Sequence, residues 1–287
     1  MEPSKSVIAL ESVTKDFSLA GKGRVLRALD KVSLSIPANS VFGLLGPNGS
    51  GKSTTIRLIL GLCKPSSGCV KVLGSDPLDA NARRKMAYLP DSPHYHRFLT
   101  ARELMRFFGK LIGLNSKLRE ISSRDLLVRF GLEEAMDRRI GTFSKGMLQR
   151  LGFAQALLGD PEVIVLDEPT AGVDPVGTSL VGEFVGQLKK DGKTVVLSSH
   201  SLAQLEGICD RIGILNKGRL LASGLVSDLL KDDKAQNLRV EGLDTESIQG
   251  LRDYVESKGG NLEFCNGSLE DLFRNLVAKD EKERLAP

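Results

Sequence analysis

A glycine-rich stretch near residue 50 constrains the fold more than any other part of the chain. Its nine residues are Gly46, Pro47, Asn48, Gly49, Ser50, Gly51, Lys52, Ser53 and Thr54, and the first eight of them fit the phosphate-binding pattern G-x-x-x-x-G-K-[ST]. The apolar segment 40–45 before it predicts a strand, and segment 55–60 after it predicts a helix. This order lets successive backbone N–H groups turn towards an anion at the start of the helix. We therefore expect these nine residues to bind phosphate.

Two residues of this loop have specific expected roles. The ammonium of Lys52 is expected to reach the β- and γ-phosphates of a nucleotide, and the hydroxyl of Ser53 is expected to bind Mg²⁺. A glycine-rich turn without a ligand is the alternative, because glycine is common in turns. The strand before the loop and the helix after it are the context that phosphate binding requires, so the motif favours a phosphate site.

The composition limits the classes of protein to which the chain can belong. Its 287 residues are 41% hydrophobic and 26% charged, as is ordinary for globular proteins. The net charge is +4 and no long run of Lys or Arg occurs, so charge does not indicate a nucleic-acid partner. Four cysteines without a C-x-x-C pair fit reduced thiols in the cytosol. The first residues lack the apolar stretch of a signal peptide, and no apolar run is long enough to span a bilayer, so we expect that work at a membrane would need another chain to span it.

The segments on either side of the phosphate loop predict two subdomains. Strands at 7–10, 32–36 and 70–73 indicate a small antiparallel sheet beside the loop. From about 92 to 160 the pattern becomes helical, with one amphipathic helix at 103–112. The expected apolar face of that helix consists of Leu104, Phe107, Phe108 and Leu111.

Another helix of this region is expected to begin after Ser144. A serine at this position can cap the first free N–H groups of a helix. Apolar residues recur after it at helical spacing, and they are Met147, Leu151, Ala154 and Leu158. The Asp160-Pro161 pair is expected to end the helix.

Two further segments predict parallel strands that end in polar residues. The apolar run 163–166 is followed by Asp167 and Glu168, and the apolar run 194–198 is followed by Ser199 and His200. A helix predicted at 175–190 joins them into a βαβ unit. In such sheets ligands bind beyond the carboxyl ends of the strands. We therefore expect the acidic pair and the histidine to meet the phosphate loop at one edge of one sheet.

The last part of the chain predicts a hairpin and then a small accessory unit. The hairpin is expected from strands at 212–215 and 219–222, and a polar linker follows at about 228–234. The accessory unit is expected to alternate strands and helices, at 238–241, 246–258, 262–264 and 269–277. The predicted fold is therefore α/β, with a mainly parallel sheet core, a small antiparallel β subdomain, a helical subdomain and a small α/β C-terminal extension.

The polar residues at the sheet edge are expected to have different roles in nucleotide chemistry. Asp167 is expected to hold Mg²⁺, directly or through water, opposite Ser53, and Glu168 is the candidate general base for an attacking water. His200 is expected to contact the γ-phosphate and to hold the water and Glu168 in place. The alternatives are a strand-end histidine bonded to backbone and an acidic pair that caps a turn. Phe17, at the end of the first strand, either stacks on an adenine ring or plugs a sheet edge.

These motifs together resemble those of the ATP-binding subunit of an ABC transporter. Residues 46–54 resemble the Walker A motif, 163–168 Walker B, 171–175 the D-loop, and His200 the switch histidine. Residues 143–150 occupy the place of the family signature, usually L-S-G-G-Q. The resemblance covers about residues 7 to 225. It implies a P-loop NTPase fold of ABC type over 1–230, with the helical subdomain at about 92–160, and an accessory extension at 237–287.

The resemblance also implies how the chain works. In this family two nucleotide domains face each other head to tail, and each ATP lies between the phosphate loop of one and the signature of the other. Ser144, Lys145 and Gly146 would then contact the ATP of the opposite subunit through a helix N-terminus. The implied protein is a Mg²⁺-dependent ATPase that powers a separate transmembrane permease. A homodimer is the simplest arrangement, in the cytoplasm on the inner face of the cell membrane.

The sequence departs from the usual family pattern in two places. The signature carries Lys145 where glycine is common and Met147 where glutamine is common, and this Ser-Lys-Gly-Met form resembles the exporter branch. Asp91 stands where the family mostly has glutamine, at a position that senses Mg²⁺ and water. Aspartate is shorter than glutamate, so a water-bridged contact is expected there. The nearby His94 and His96 could suggest a metal site, but the sequence shows no third ligand for a metal ion. The preferred interpretation is that residues 93–96 form a surface loop that docks a membrane partner.

Two alternatives to a transport ATPase stay open at this stage. The first is a soluble ABC ATPase of translation or DNA repair, although such proteins usually carry two fused cassettes or a long coiled-coil insertion. The second is a regulatory cassette that binds ATP without hydrolysing it. Lys52, Asp167, Glu168 and His200 are all present, which speaks against the second alternative, whereas Asp91 leaves it open.

Overall fold

The computed structural model describes residues 6–18, 25–171, 175–200, 205, 207–230 and 244–258, with single positions at 272, 273, 276, 277 and 280. The chain divides into two compact units, Met1–Val226 and Ser227–Pro287. Predictions for residues 19–24 of the loop at 18–24, for residues 231–234 of the linker and for the strands at 238–241 and 262–264 fall on residues outside the described ones, as does most of the helix predicted at 269–277.

The described part of the chain contains both strands and helices. The strands are β1 (Ser6–Ser18), β2 (Val25–Pro37), β3 (Val41–Leu45), β4 (Ser67–Val72), β5 (Met86–Leu89), β6 (Val163–Leu166), β7 (Thr194–Ser199), β8 (Arg211–Asn216) and β9 (Arg219–Leu225). The helices are α1 (Lys52–Ile59), α2 (Ala80–Arg84), α3 (Ala101–Leu111), α4 (Ser116–Arg129), α5 (Lys145–Ala156), α6 (Pro175–Lys190), α7 (Val226–Leu229) and α8 (Thr245–Ser257), with a 3-10 turn at Ile140–Thr142.

The central sheet has the order β5-β6-β7-β3-β8-β9 and is mainly parallel, as predicted. Among the described strand pairs of this sheet, only the β8–β9 hairpin is antiparallel. β3, β6 and β7 are fully buried, which explains their continuous apolar sequences. Because β5, β6, β7 and β3 are parallel, their carboxyl ends lie at one edge of the sheet.

The predicted antiparallel sheet is also present, in the order β2-β1-β4. Its strands are longer than predicted and contain register shifts, which the short apolar segments did not reveal. On β2 the buried positions alternate through Val32, Leu34 and Ile36, so one face of this sheet packs inward. That face joins α1 and one face of the central sheet in a single hydrophobic core. The core therefore anchors the helix that follows the phosphate loop.

The helical subdomain corrects one prediction about α3. Leu104 is buried as expected, but Phe107 and Leu111 are 53% and 65% exposed. The buried stripe instead contains Ala101, Leu104 and Met105, and it continues to Gly109. Gly109 faces α4, where a Cβ atom would lie 2.7 Å from Cγ of Arg119. α4 therefore approaches α3 closely at this glycine, and the periodicity of α3 alone does not reveal that contact.

The second unit contains helix α8 where a helix was predicted at 246–258. The side chain of Asp244 accepts a hydrogen bond from the backbone N–H of Ser247, so the helix begins with an N-cap. Within the described part of the chain, none of the helices is long and apolar enough to cross a membrane.

Candidate functional site

The phosphate loop joins β3 to α1 through glycines that other residues could not replace without strain. Gly46, Gly49 and Gly51 have φ values of 153°, 79° and 110°. A Cβ atom on Gly51 would lie 2.6 Å from Cδ2 of Leu29, so the loop packs tightly against β2. The hydroxyl of Ser50 is buried and has no hydrogen-bond partner among the described residues. The backbone thus turns sharply and delivers the N-terminus of α1 to the loop.

Lys52 is the first residue of α1, and its side chain folds back over the loop. It is 6% exposed, and its Nζ donates a hydrogen bond to the carbonyl oxygen of Gly46 at 2.7 Å. The same atom lies 3.6 Å from Oε1 of Glu168. The buried cation therefore connects the phosphate loop with the acidic pair at the end of β6, two elements that are far apart in the sequence.

The carboxylate of Asp167 lies between two hydroxyl groups. Ser198 Oγ donates to Oδ1 at 2.5 Å, and the Tyr88 hydroxyl donates to Oδ2 at 3.3 Å. Burial, followed by the negative charge of Asp167, raises the pKa of Tyr88 to about 12, so its hydroxyl keeps the proton that it donates. Neither Tyr88 nor Ser198 is among the predicted site residues, although each lies within two or three residues of one.

Glu168 adopts an unusual backbone conformation, with φ of 48°. A left-handed conformation is costly for a residue with a side chain and is often found at functional sites. Its backbone N–H donates to Oγ of Ser198 at 2.9 Å, and its Oε2 lies 2.7 Å from Nδ1 of His200. The side chain of Glu168 is therefore held between Lys52 and His200.

A cleft of about 590 Å³ opens over the phosphate loop. It is lined by most of the predicted site residues together with neighbours from β2, α1 and β5. These lining residues are Phe17, Leu26, Arg27, Ala28, Pro47, Asn48, Gly49, Ser50, Gly51, Lys52, Ser53, Thr54, Ile56, Arg57, Tyr88, Asp91, Asp167 and Glu168. Ser53 and Asp167 offer a hydroxyl and a carboxylate to this cleft, and such oxygen ligands fit Mg²⁺.

Phe17 lies at one end of the cleft, on β1. It is half-buried and pairs with Leu26 of β2 across the antiparallel sheet. The ammonium of Lys15 lies 4.9 Å from the centre of its ring, close enough for a cation–π contact. An aromatic ring beside an apolar side chain can offer a flat surface to a base, and the position of Phe17 in the cleft favours that interpretation over a plug at a sheet edge.

The signature residues lie outside this cleft. Ser144 is the N-cap of α5, as predicted, and accepts a hydrogen bond from the backbone N–H of Met147 at 3.3 Å. Lys145 donates to the carbonyl oxygen of Ala171 at 3.3 Å. Gly146 is exposed, and a Cβ atom there would meet no other atom within 4 Å. These three residues therefore present a helix N-terminus at the surface and do not face the phosphate loop of their own chain.

Asp91 borders two spaces. It lines the phosphate cleft and also a smaller pocket of about 220 Å³, which Lys145, Gln149 and Glu168 line as well. Gln149 donates to the carbonyl oxygen of Pro169 at 2.6 Å and so links α5 to the segment after Glu168. The residues of the predicted D-loop at 172–174 lie outside the described ones.

The two neighbouring histidines make local contacts. Nδ1 of His94 lies 2.7 Å from the carbonyl oxygen of Ser92, and the ring of His96 stacks on Phe98. In the part of the chain that the structure describes, no group of three or more His, Cys, Asp or Glu residues could hold a metal ion.

Comparison with known proteins places these features in a family. The family model described as ABC transporter matches residues 29–171. An uncharacterised ABC transporter ATP-binding protein of Synechocystis is 40% identical over 225 residues, which cover 78% of this chain but 64% of that protein. The ATP-binding protein NatA of Bacillus subtilis is 37% identical over 236 residues, which cover 81% of this chain and 95% of NatA. The Nod factor export ATP-binding protein I of Rhizobium is 36% identical over 270 residues, which cover 91% of this chain and 86% of that protein.

Solved structures give the same assignment. An ATP-binding subunit of an ABC transporter superposes with a TM-score of 0.72 at 28% identity and covers 95% of this chain and 100% of that chain. A dimeric ATP-binding cassette in a post-hydrolysis state with ADP and Pi superposes with a TM-score of 0.68 at 26% identity, over 76% and 98% of the two chains. The phosphate loop, the acidic pair, the signature position and these relatives lead to one conclusion: the chain belongs to the ABC transporter family, as an ATP-binding subunit.

Proposed function

We propose that this chain hydrolyses ATP and that Lys52, Glu168 and His200 act on the reacting phosphate and water. The observation that carries the proposal is the position of the Glu168 carboxylate, 3.6 Å from Nζ of Lys52 and 2.7 Å from Nδ1 of His200. A carboxylate at this place borders the phosphate loop and has an imidazole on its other side. A general base and a group that orients it are what hydrolysis by water requires.

The phosphate loop would bind the nucleotide before any chemistry. The N–H groups at the start of α1 and the turn at Gly49 and Gly51 would surround the phosphates. Lys52 would exchange its bond to the Gly46 carbonyl for the β- and γ-phosphates, and Phe17 would stack on the adenine ring. Ser53 and Asp167 would hold Mg²⁺, which neutralises negative charge on the phosphate oxygens when it is bound.

Glu168 would then act on the attacking water. Its carboxylate accepts the proton as the water attacks, which makes the water a better nucleophile. His200 holds Glu168 in position through the contact between Nδ1 and Oε2, and it would also approach the γ-phosphate. Asp91 borders the same cleft and would contact the metal shell through a water molecule, because its side chain is short.

The signature of a second subunit would complete each site. Ser144, Lys145 and Gly146 are exposed at the N-terminus of α5, which has the polarity to bind a phosphate. A head-to-tail dimer would bring this helix to the cleft of the partner. The solved dimeric cassette with ADP and Pi supports this proposal. A homodimer is the simplest form of it, because this chain carries both halves of the site.

The energy of hydrolysis would drive export through a separate permease. The Ser-Lys-Gly-Met form of the signature favours the exporter branch, and a relative that is 36% identical is named for Nod factor export. We propose that the chain binds its permease in the cytoplasm, on the inner face of the cell membrane. We also propose that residues 1–230 form the ATP-binding domain and that 237–287 form an accessory extension.

A regulatory cassette that binds ATP without hydrolysis is the second candidate. Asp91 leaves it open, since this residue replaces the usual glutamine and lines the cleft beside Glu168. Measured turnover separates this candidate from an ATPase. A ribosome-bound protein that does not copurify with detergent-extracted membranes would instead indicate the soluble, non-transport class of ABC ATPases.

The decisive experiment is steady-state release of phosphate by the purified chain with Mg²⁺ and ATP, over a wide range of protein concentrations. We expect activity that rises more steeply than linearly with concentration, because each site needs two subunits. If activity is absent at every concentration, the permease is added. Activity that then arises supports a coupled transport ATPase, and continued absence supports the regulatory candidate.

A further inference from the structure

We propose that Tyr88 and Ser198 are positioning residues that orient the carboxylate of Asp167 as a ligand of Mg²⁺. The proposal rests on the proposed function, because the metal is the one that the ATP site requires. Asp167 is itself the expected ligand, and the two hydroxyls are its neighbours on adjacent strands. They act on the metal through Asp167 and not by direct contact.

Each oxygen of the Asp167 carboxylate accepts one of the two hydrogen bonds. Ser198 Oγ is 2.5 Å from Oδ1, and the hydroxyl of Tyr88 is 3.3 Å from Oδ2. A carboxylate has about four lone-pair sites, so each oxygen retains capacity for a metal or a water molecule. Two donors on opposite oxygens restrict rotation of the carboxylate, and this orientation is what a metal ligand needs before the metal arrives.

The sheet register explains why these residues meet. Tyr88 of β5 pairs with Val165 of β6, and Val165 pairs with Val196 of β7. Because residues two apart share a face of a strand, Asp167 and Ser198 project to the same side of the sheet as Tyr88. The backbone N–H of Asp167 also donates to the carbonyl oxygen of Leu89 at 2.9 Å. The two strands that flank β6 thus hold the carboxylate from both sides.

Ser198 has a second bond that connects the metal ligand with the proposed base. Its Oγ accepts a hydrogen bond from the backbone N–H of Glu168 at 2.9 Å while it donates to Asp167. Ser198 is fully buried, with 0% exposure, so water does not compete for these bonds. One hydroxyl therefore sets the direction of the metal-binding side chain and anchors the strained backbone of Glu168.

The chemistry of the two donors suits a cation site. A neutral hydroxyl orients a carboxylate without cancelling its charge, whereas a lysine or arginine at the same place would compete with the metal. Lys52, a cation of the same cleft, lies against Glu168. The two side chains that bond to the Asp167 carboxylate are thus neutral hydroxyls, while the opposite oxygen ligand, Ser53, lines the same cleft.

The test measures metal affinity separately from hydrolysis. Tyr88→Phe removes the hydroxyl that donates to Oδ2 of Asp167. Ser198→Ala removes the donor to Oδ1 and, with it, the acceptor of the Glu168 backbone N–H. Tyr95→Phe is a matched control, because Tyr95 donates to Gln155 in the helical subdomain, away from the cleft. Ser123→Ala is the second control, because Ser123 is 1% exposed and its hydroxyl has no partner among the described residues. Binding of a fluorescent ATP analogue is titrated with Mg²⁺, and is then measured in EDTA.

We expect both site variants to need about tenfold more Mg²⁺ for half-maximal binding, since outer partners of metal ligands often have effects of this size. Their nucleotide affinity in EDTA should match that of the parent, and both controls should match the parent in every condition. With Mn²⁺ in place of Mg²⁺, the electron paramagnetic resonance spectrum of the bound ion should change in the site variants alone. If the hydroxyls only stabilised the fold, their loss would not change the Mg²⁺ midpoint and the Mn²⁺ spectrum while the nucleotide affinity in EDTA stayed the same.

Three outcomes would overturn the proposal. The first is a Mg²⁺ midpoint in both folded site variants within about twofold of the parent. The second is loss of the fold in both variants, which would show that the two hydroxyls serve the stability of the sheet and not the metal site. The third is a parent chain that binds no nucleotide, which would overturn the proposed function as well. The parent could also bind Mg²⁺ and ATP without turnover while both site variants need more Mg²⁺ for half-maximal binding. That result would overturn the proposed hydrolysis and support the positioning role.

Discussion

Nδ1 of His200 lies 2.7 Å from Oε2 of Glu168, and this contact joins the ends of two neighbouring strands. Glu168 follows β6 and His200 follows β7, so the parallel pairing of these strands brings the two side chains together. The other oxygen of Glu168 faces Lys52 at 3.6 Å. The pair therefore depends on the sheet and on the helix that follows the phosphate loop.

Replacement of Glu168 by glutamine tests its role as the base. Glu168→Gln keeps the size of the side chain but cannot accept the proton of water, so we expect hydrolysis to fall at least about 100-fold. ATP binding should persist, and ATP should then trap a dimer that size-exclusion chromatography detects. Glu162→Gln is the control, since Glu162 makes an exposed ion pair with Lys85. Turnover like that of the parent would remove Glu168 from the role of base.

Replacement of Lys52 tests the phosphate contact. Hydrogen bonds to charged groups contribute about 1.5–3 kcal/mol, so Lys52→Ala should weaken ATP binding by about 10- to 100-fold. Isothermal titration or fluorescence of an ATP analogue measures this change. Lys85→Ala removes an exposed lysine whose partner is Glu162, and it should leave the affinity as it is. Equal affinities of the Lys52 variant and the parent would contradict the assigned contact.

The signature serine combines a structural and a proposed functional role, and a matched variant separates them. Ser144→Ala removes the N-cap of α5 and should lower the free energy of unfolding by about 1 kcal/mol. Asn115→Ala removes the side-chain cap of α4 and should cost a similar amount. Only the Ser144 variant should lose hydrolysis, as measured by phosphate release. Similar hydrolysis by the two variants would show that Ser144 serves the helix alone.

Two glycines of the phosphate loop should respond differently to the same substitution. Both have positive φ, so either alanine variant should cost about 1–2 kcal/mol of stability from backbone strain. A Cβ atom on Gly49 would meet no atom within 4 Å, whereas one on Gly51 would lie 2.6 Å from Leu29 and 3.0 Å from the carbonyl oxygen of Ala28. Gly51→Ala should therefore lose about 1–3 kcal/mol more than Gly49→Ala in urea unfolding. Equal losses would mean that the loop moves away from β2 at little cost.

The buried thiol of Cys209 should make the free energy of unfolding fall as the pH rises in the alkaline range. Burial, and then the charge of Asp210, raises the pKa of Cys209 from 9.0 to about 12. The unfolded chain releases this proton above about pH 9 while the folded chain retains it, so stability is complete below that pH and falls as pH rises towards 12. The slope should approach about 1.4 kcal/mol per pH unit. Cys209→Ala should remove this component, and identical pH profiles of the two proteins would refute it.

Much of the site follows from local sequence patterns. The loop from Gly46 to Thr54 needs a strand before it and a helix after it, and both are visible in neighbouring residues. The apolar runs before Asp167 and His200 predicted buried parallel strands, and the structure places the two residues at the same sheet edge, where Asp167 and His200 each lie next to partners from other strands. Local patterns suffice here because glycine turns and buried strands depend on residues a few positions apart.

Tertiary structure decided what surrounds those residues and which faces are buried. Tyr88 and Ser198 are ordinary residues within their strands, and they reach Asp167 only because β5 and β7 flank β6. Phe107 is exposed, and α4 approaches α3 closely at Gly109, and the pattern of α3 encodes neither of these features. The amino-acid sequence by itself determined the phosphate loop, the polar ends of the strands and the family. Side-chain partners that are distant in the sequence depend on the order of the strands and on helix packing, which arise only when the whole chain folds.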